Sequence, residues 1–480
     1  MWLFIFAIPA RHVKARYWRI SFPQLGSLHS GALGWQEAKE KPAKERCGRP
    51  AYGGMNEMGS ARSFLLAISA AVMMSLSAPR CGWPRTPEGK ELVVQMGWGD
   101  QVQYSGDQAL TTVERLRKFY DHYRQKGVDT ILLRVDVFRF ARDYEWPEPK
   151  KIPSYAGLPD AIVDGQENQW QATQDAVKMD LLKDMVNLAH QEGMKIMAWN
   201  TTFDEGMPLD MVYYYKGDID GQNQDPKTGK TLYHTHDSTS CCFSKFIEAH
   251  PECVMIDRTQ KKYNWGTLEF AYPRARDYAV GYNCWFLDHY PFDGIYIDFR
   301  NEFSHPEFGD EFGFSPPIVE EYKKRFGVDI LHDEFDVEAW RRLCGEYITQ
   351  YIRELYGMVH GRGKTLIVGI PQGNYLGMPN GNQYVDWQGW VKDHIVDGLI
   401  IGIISGKFIF PDHIGYGYLT DTEYGIGLPN ILSDLNDNYW PLCARYGVKL
   451  YVSTVVPVNH GNRLPVSEYV KTKVDGVMIW

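Results

Sequence analysis

The sequence predicts an α/β fold, a (β/α)8 TIM barrel over residues 82–480, and three observations support it. Eight short runs rich in β-branched residues occur after residue 90, and each is almost continuously apolar, as expected of strands covered on both faces. Helix-like stretches separate these runs. No GxGxxG or Walker sequence follows the first run, which argues against an open nucleotide-binding sheet. Eight such repeats in one domain favour a closed barrel.

The predicted elements alternate along the chain. Several strands are introduced by Gly or Asp-Gly after a helix, which we interpret as helix C-caps. The predicted strands are 91–98, 129–136, 195–200, 293–300, 364–371, 397–404, 448–455 and 475–480. The clearest helical stretches are 112–127, 180–194, 274–290 and 343–363. The last strand ends with the chain at Trp480, so the predicted barrel lacks its final helix.

The N-terminal part of the chain differs from the rest. An apolar run at 64–78 follows Arg62 and ends in small residues, which is the pattern of a secretory signal peptide. The run is short for a bilayer span; a membrane anchor or a buried helix is the alternative. We therefore predict a signal peptide at 55–81, a secreted or periplasmic protein, and no stable membrane insertion after cleavage. Residues 1–54 are interpreted as an over-extended start that precedes the true initiating methionine.

Composition and charge exclude some partners. The net charge of -9 and the pI near 5.9 argue against a nucleic acid or an anionic membrane, both of which favour a basic surface. Aromatic residues make up 14% of the chain, which suits a ligand-binding surface as well as a core. The eight cysteines contain no CxxC pair, and no cofactor or metal is predicted.

The segment FDGIYIDFRNE, residues 292–302, places charges directly after a buried apolar run. An unpaired buried ion costs several kcal/mol, so such charges belong at a turn or in a site. In a TIM barrel the site lies at the C-terminal ends of the strands. We therefore expect Asp298, Arg300 and Glu302 to lie in the functional site.

Four segments together resemble the family-10-like glycosyl hydrolase-like TIM-barrel proteins, and the resemblance extends over residues 91–480. They are HPECVMIDR at 250–258, WGTLEFAYPRARDYAV at 265–280, FDGIYIDFR at 292–300 and YVDWQGWVKDHIVDGLII at 384–401. The most specific parts are the strand-four motif and the DW..W motif at Asp386. The predicted strand seven lacks the Glu nucleophile of true family-10 xylanases, so the resemblance does not imply a xylanase.

The resemblance implies an exported glycoside hydrolase that cleaves an oligo- or polysaccharide. Glycosidic cleavage uses one carboxylic acid and one carboxylate. Asp298 matches the nucleophile that closes strand four in related barrels, and Glu302 is its predicted partner. Asp136, Asp204, Glu205 and Asp310 are the other candidates for that partner. The alternative role of Asp298 is a salt bridge with Arg300 or Arg134.

Further polar and aromatic residues at the predicted strand ends are candidates for carbohydrate binding. Tryptophan rings stack on sugar faces, although a tryptophan inside a barrel can equally fill the core. Polar side chains there bind hydroxyl groups or cap the strand ends. The predicted substrate-binding residues are Trp98, Arg134, Asp136, Trp199, Asn200, Arg300, Gln372, Asn374, His460 and Trp480.

Two other functions stay open. His234, His236 and Asp237 form an HxH motif with a neighbouring acid, as in metal-dependent hydrolases, but the motif lies in the middle of a predicted loop and not at a strand end. A non-catalytic carbohydrate-binding barrel would keep the tryptophans without needing a pair of carboxylates. The sequence does not determine the glycan, the stereochemical outcome or the oligomeric state.

Overall fold

Eight parallel strands form a closed barrel in the computed structural model of the protein, which confirms the predicted fold. The structure describes residues 89–97, 110, 112–145, 171, 174–175, 177–178, 180–208, 243–301, 306, 308–377, 380–402, 430–454 and 464–479. The barrel strands are β1 Glu91–Met96, β2 Thr130–Arg134, β3 Lys195–Thr201, β4 Gly294–Asp298, β5 Thr365–Ile370, β6 Gly398–Ile401, β7 Lys449–Ser453 and β8 Gly476–Ile479. They pair in chain order, and β1 also pairs with β8, so the barrel has no open edge.

At least one helix lies in each of the seven connections between consecutive barrel strands. The helices are α1 Val113–Gln125, α2 Asp136–Asp143, α3 Leu181–Gln191, α4 Lys245–Ala249, α5 Pro273–His289, α6 Pro316–Phe326, α7 Val337–His360, α8 Trp387–Lys392, α9 Ile431–Asp434, α10 Trp440–Tyr446 and α11 Val466–Tyr469. A 3-10 turn covers Pro251–Cys253 and a π-helical turn covers Leu435–Tyr439. Among these residues, no helix is both long enough and apolar enough to cross a bilayer.

Two short antiparallel sheets lie outside the barrel wall. Tyr144–Glu145 pairs with Phe243–Ser244, which brings the connection after β2 next to the connection after β3. Val254–Ile256 pairs with Tyr263–Leu268 within the β3–β4 connection. Both sheets belong to connections that leave the C-terminal ends of strands, where a barrel carries its site.

Strand alternation divides the core into two parts. One face of each strand points into the barrel, where a single cluster fills the interior. It consists of Val93, Leu132, Met197, Trp199, Tyr296, Ile367, Ile400, Tyr451 and Met478. The opposite faces pack against the helices in a larger cluster. A residue and its sequence neighbour on a strand therefore lie in different environments.

The Asp-Gly pairs before β4, β6 and β8 are not helix caps, so that interpretation is wrong for them. The aspartate before each even-numbered strand accepts a hydrogen bond from the backbone N–H of the second residue of the preceding strand. The four bonds join Asp129 to Leu92, Asp293 to Ile196, Asp397 to Leu366 and Asp475 to Leu450, at 2.7–2.8 Å. We call these four aspartates the rim aspartates. They tie the strands together in pairs at the N-terminal end of the barrel.

The glycines after Asp293 and Asp475 are required by close packing. A Cβ atom at Gly294 would lie 2.2 Å from the Thr365 carbonyl oxygen and 2.7 Å from Met197 Cε. At Gly476 it would lie 2.6 Å from Tyr451 Cδ1. Glycine at these positions therefore leaves space for the large side chains of the neighbouring strands.

Candidate active site

Asp298 is the last residue of β4 and lies at the C-terminal mouth of the barrel. It shares a strand face with Tyr296, which belongs to the interior cluster, so its carboxylate points inward. The side chain is fully buried. Arg300 Nη2 donates a hydrogen bond to Asp298 Oδ2 at 3.2 Å. Oδ1 has no hydrogen-bond partner in the described part of the chain.

The surroundings of Asp298 favour its protonated form. Burial raises the pKa of the carboxyl above its ordinary value, and the positive charge of Arg300 only partly offsets this. The Trp199 indole N–H and the charge of Arg134 also lower the pKa, while the negative charge of Asp136 raises it. The net effect is a carboxyl group that keeps its proton to higher pH than an exposed aspartate.

Two guanidinium groups lie over the indole of Trp199, on β3. The Arg134 Cζ atom is 5.7 Å from the indole centroid and the Arg300 Cζ atom is 5.3 Å from it. The indole N–H lies beside Asp298 but makes no hydrogen bond of good geometry. Only 1% of the side chain is exposed. The indole is thus held by the protein's own charged groups.

Arg134, at the end of β2, is fixed by two carboxylates. Its Nε donates to Asp136 Oδ2 at 3.0 Å, and its Nη2 donates to Asp204 Oδ2 at 2.9 Å. Thr201 Oγ1 donates to the same Asp136 oxygen at 2.7 Å. All four groups are buried. Asp136 and Asp204, predicted near the site, are therefore engaged in ion pairs beneath the mouth.

The two remaining alternative carboxylates are also ion-paired. Glu205 accepts from Arg139 Nη1 at 2.7 Å and from the Tyr278 hydroxyl at 3.0 Å. Asp310 accepts from Arg341 Nε at 3.0 Å, from Arg341 Nη2 at 2.5 Å and from Asn382 Nδ2 at 2.7 Å. These bonds satisfy both carboxylates within the protein.

Asn200 points away from the barrel interior. Its side-chain amide donates to Asn283 Oδ1 of α5 at 2.7 Å, and the residue is fully buried. Because its neighbour Trp199 points inward, alternation places Asn200 on the helix-covered face. It lies with the structural core and not with Asp298.

Gln372 and Asn374 follow β5 and bind their own chain. Gln372 Nε2 donates to Asp434 Oδ2 at 2.7 Å, next to the π-helical turn. Asn374 Oδ1 accepts from Trp387 Nε1 at 3.1 Å. Both side chains therefore anchor the connection after β5 to neighbouring helices.

The DW..W motif joins the same helices. Asp386 caps α8 by accepting a hydrogen bond from the Gly389 N–H at 3.1 Å. Trp387 stacks on Tyr439 with a centroid distance of 4.3 Å. Trp390 Nε1 donates to Thr349 Oγ1 of α7 at 2.9 Å. This motif stabilises the outer layer of the barrel.

Several predicted residues lie outside the described residues. These are Trp98, Glu302, His460 and Trp480, together with His234, His236 and Asp237 of the HxH motif.

Two interior residues that motif reading did not identify lie below the mouth. Gln95 of β1 lies close enough to the Tyr296 hydroxyl to lower the pKa of that phenol, although burial keeps it well above its usual value. Neither side chain makes a hydrogen bond of good geometry among the described residues. Strand alternation could have identified both, because Tyr296 is two residues before Asp298 and Gln95 is two residues after Val93.

Comparison with known proteins places this chain in a family. Residues 153–411 match the family model described as glycosyl hydrolase-like 10, which confirms the resemblance inferred from the four segments. No match was found among curated protein sequences.

Three solved enzymes illustrate the structural likeness. The β-galactosidase from Marinomonas ef1 is 11% identical over 81% of this chain and 54% of its own, with a TM-score of 0.39. The catalytic domain of the β-amylase from Paenibacillus polymyxa is 12% identical over 82% and 92%, with a TM-score of 0.44. The exo-β-N-acetylglucosaminidase from Vibrio harveyi is 10% identical over 82% and 50%, with a TM-score of 0.36. The chain thus spans about half the length of the first and third enzymes.

The family model covers more than half of the chain, including the strand that carries Asp298. The protein therefore belongs to the glycosyl hydrolase-like 10 family.

Proposed function

We propose that the protein is a glycoside hydrolase in which Asp298 contacts the glycosidic bond at the barrel mouth. The observation that carries this proposal is the Asp298 carboxyl at a strand end, with one oxygen unpartnered among the described residues. Asp136 also has one oxygen without a hydrogen bond in the described part of the chain, but this carboxylate is ion-paired with both Arg134 and Arg139. Asp204 and Glu205 are each ion-paired with one of the same two arginines. Membership of a glycosyl hydrolase-like family supports the same function.

The electrostatics of Asp298 support a role as the acid. A general acid must keep its proton near the working pH, and burial raises the pKa of Asp298 in that direction. In this role the carboxyl protonates the leaving oxygen, and a second carboxylate attacks the anomeric carbon or activates water. Glu302 is the proposed second carboxylate. This assignment reverses the nucleophile role that the family resemblance implies for Asp298.

Asp298→Asn tests this proposal. We expect wild-type protein to release reducing sugar from at least one member of a broad glycan panel, and the variant to lose about 10²–10⁴-fold of that rate. Asp293→Asn is the matched control, because Asp293 precedes the same strand at the opposite end of the barrel. The Asp293→Asn variant should have a lower unfolding free energy but should release reducing sugar at the wild-type rate. Equal rates for wild type and Asp298→Asn would contradict the proposal.

One observation favours a second candidate, a carbohydrate-binding barrel without catalysis. Asp298 is fully buried and paired with Arg300, as a structural ion pair would be. Such a protein would bind a glycan from the panel, with equal affinity in wild type and Asp298→Asn, and release no sugar from it. Isothermal titration calorimetry beside the activity assay therefore separates the two functions.

Export belongs to the same proposal. We propose that residues 55–81 act as a signal peptide, that translation starts after residue 54, and that the mature protein acts on carbohydrate outside the cytoplasm. The apolar run after Arg62 supports this reading. N-terminal sequencing of protein secreted from an expression host should begin close to Gly82. Recovery of residues 1–54 on the mature protein would contradict it.

A further inference from the structure

The surroundings of Trp199 do not match those of a sugar-stacking residue. A stacking platform presents an open ring face to the ligand, whereas only 1% of Trp199 is exposed. The guanidinium groups of Arg134 and Arg300 lie over the indole at 5.7 and 5.3 Å from its centroid. Tyr296 approaches it from within the barrel, with a ring-centroid distance of 6.0 Å. The contacts of the indole are therefore made by the protein itself.

We propose that Trp199 is a positioning residue that orients the Asp298 carboxyl, and that it does not serve as a platform for a sugar ring. The inference rests on the proposed glycosidase function and adds a residue to its machinery. The Arg300 guanidinium lies over the indole, with its Cζ atom 5.3 Å from the ring centroid, and its Nη2 donates to Asp298 Oδ2 at 3.2 Å. The indole therefore restricts Arg300, and the Arg300 hydrogen bond in turn restricts rotation of the carboxyl group.

Arg134 holds Trp199 in place. Its guanidinium group is fixed by Asp136 and Asp204, so it cannot move away from the indole without breaking two buried ion pairs. A cation over an indole is attracted by the ring, and the attraction strengthens when both groups are desolvated. A chain of contacts thus runs from these two carboxylates through Arg134, Trp199 and Arg300 to Asp298.

The charged and titratable groups around Asp298 all belong to this arrangement. Arg300 comes from the end of its own strand, Arg134 from β2, Asp136 from the start of α2, and Tyr296 from the preceding inward position. Replacing the indole by a smaller phenyl ring keeps all of these charged groups but loosens the packing that holds Arg300 beside the carboxyl. The charged form of the carboxyl is then less favoured, and its orientation is less restricted.

Trp199→Phe separates positioning from stacking through steady-state kinetics. We expect kcat to fall about 10–100-fold while KM changes less than about twofold, because only the orientation of the acid is lost. The limb of the pH–rate profile that reports Asp298 should also move to higher pH. If Trp199 instead stacked on a sugar ring, Trp199→Phe would raise KM and leave kcat unchanged. That result would overturn the inference.

Trp390→Phe is the control for a general effect of removing a buried tryptophan. Trp390 is fully buried, and its indole N–H is bonded to Thr349 outside the barrel interior. This variant should lose stability without a change in the pH–rate profile. If the pH–rate profile of Trp390→Phe shifts as that of Trp199→Phe does, the effect at Trp199 is a general consequence of lost stability. This result would overturn the inference.

A second readout does not depend on turnover. In protein labelled with ¹³C-aspartate, the Asp298 carboxyl signal is identified by its loss in Asp298→Asn and followed through a pH titration. We expect this signal to titrate at higher pH in Trp199→Phe than in wild type. An unchanged titration would overturn the inference even if the enzyme is active. Absence of hydrolysis by wild type would instead contradict the proposed function and leave this titration to decide the role of Trp199.

Discussion

Glu269 shows how a single buried carboxyl affects stability. It lies after the strand Tyr263–Leu268 and accepts hydrogen bonds from Ser315 Oγ at 2.7 Å and from the Ala271 N–H at 3.1 Å. Burial raises its pKa above 4.5, and these two neutral donors offset only part of that effect. The folded protein therefore binds the proton more tightly than the unfolded chain does. The unfolding free energy falls as pH rises from about 4.5 through the folded-state pKa.

Glu269→Gln should remove the loss of unfolding free energy that ionisation of this buried carboxyl causes. Because glutamine has the same shape and no charge, we expect a higher Tm than wild type at pH 7, a weaker dependence of Tm on pH, and unchanged activity. Differential scanning calorimetry between pH 4 and pH 8 measures the effect. A lower Tm at pH 7 would show that the charge of Glu269 is stabilising and contradict the prediction.

Asp257→Asn is the control with the opposite sign. Burial raises the pKa of Asp257, but backbone hydrogen bonds from Lys262 and Lys261 and the Thr259 hydroxyl outweigh it and lower the pKa. The ionised Asp257 carboxylate stabilises the folded protein above pH 3.8, which is the pKa of the unfolded state. This stabilisation is lost as the pH falls through the lower pKa of the folded state. The asparagine variant should therefore lower Tm at pH 7.

For single residues, the apolar pattern of the sequence does not by itself show which side chains reach the barrel mouth. A second physical rule is needed, such as the cost of a buried charge or the alternation of side chains along a strand. Asp298 could be predicted because a charge after a buried run must lie in a site or at a turn. Trp199 and Asn200 cannot both face inward, since adjacent strand residues point to opposite faces. The ion pair of Asp204 with Arg134 joins residues 70 positions apart in the chain, and a single sequence does not reveal such a contact.

At the scale of the elements, strands were predictable because buried parallel strands are continuously apolar. Helix α6 is less evident. It begins with two prolines, and only Ile318 and Tyr322 are buried, so its apolar stripe is short. The Asp-Gly pairs were misinterpreted because both a helix cap and a rim aspartate precede a strand, and only strand pairing distinguishes them.

Gly294 provides the prediction that belongs to this scale. Gly294→Ala places a methyl group 2.2 Å from a backbone carbonyl oxygen, so β4 and β5 must separate. We expect a loss of at least about 1–3 kcal/mol in unfolding free energy, measured by urea denaturation. Gly281→Ala is the control, because nothing lies within 4 Å of its added Cβ in the middle of α5. That variant should gain about 0.5–1 kcal/mol. Equal effects of the two substitutions would contradict the close packing assigned to Gly294.

At the scale of the whole molecule, stability depends on closing the ring. β1 pairs with β2 on one side and with β8 on the other. Protein that begins at Gly82 contains the whole barrel, and we expect one cooperative unfolding transition by calorimetry. Removing residues 464–480 deletes α11 and β8 and leaves the edges of β1 and β7 unpaired. This truncated chain should lose the cooperative transition and aggregate in size-exclusion chromatography. A monomer with an unchanged transition would contradict the prediction.

The closure of the barrel also determines the order of events in folding. Lys90 Nζ donates to the Val474 carbonyl, a contact that joins residues 384 positions apart in the chain. Contacts of such high sequence separation form slowly, because a long loop must close before any favourable contact is gained. During synthesis β1 emerges first, and its pairing with β8 cannot form until almost all of the remaining chain has been made. The rate of closure, and not the equilibrium stability of the closed barrel, therefore determines how long both edges are open to intermolecular pairing.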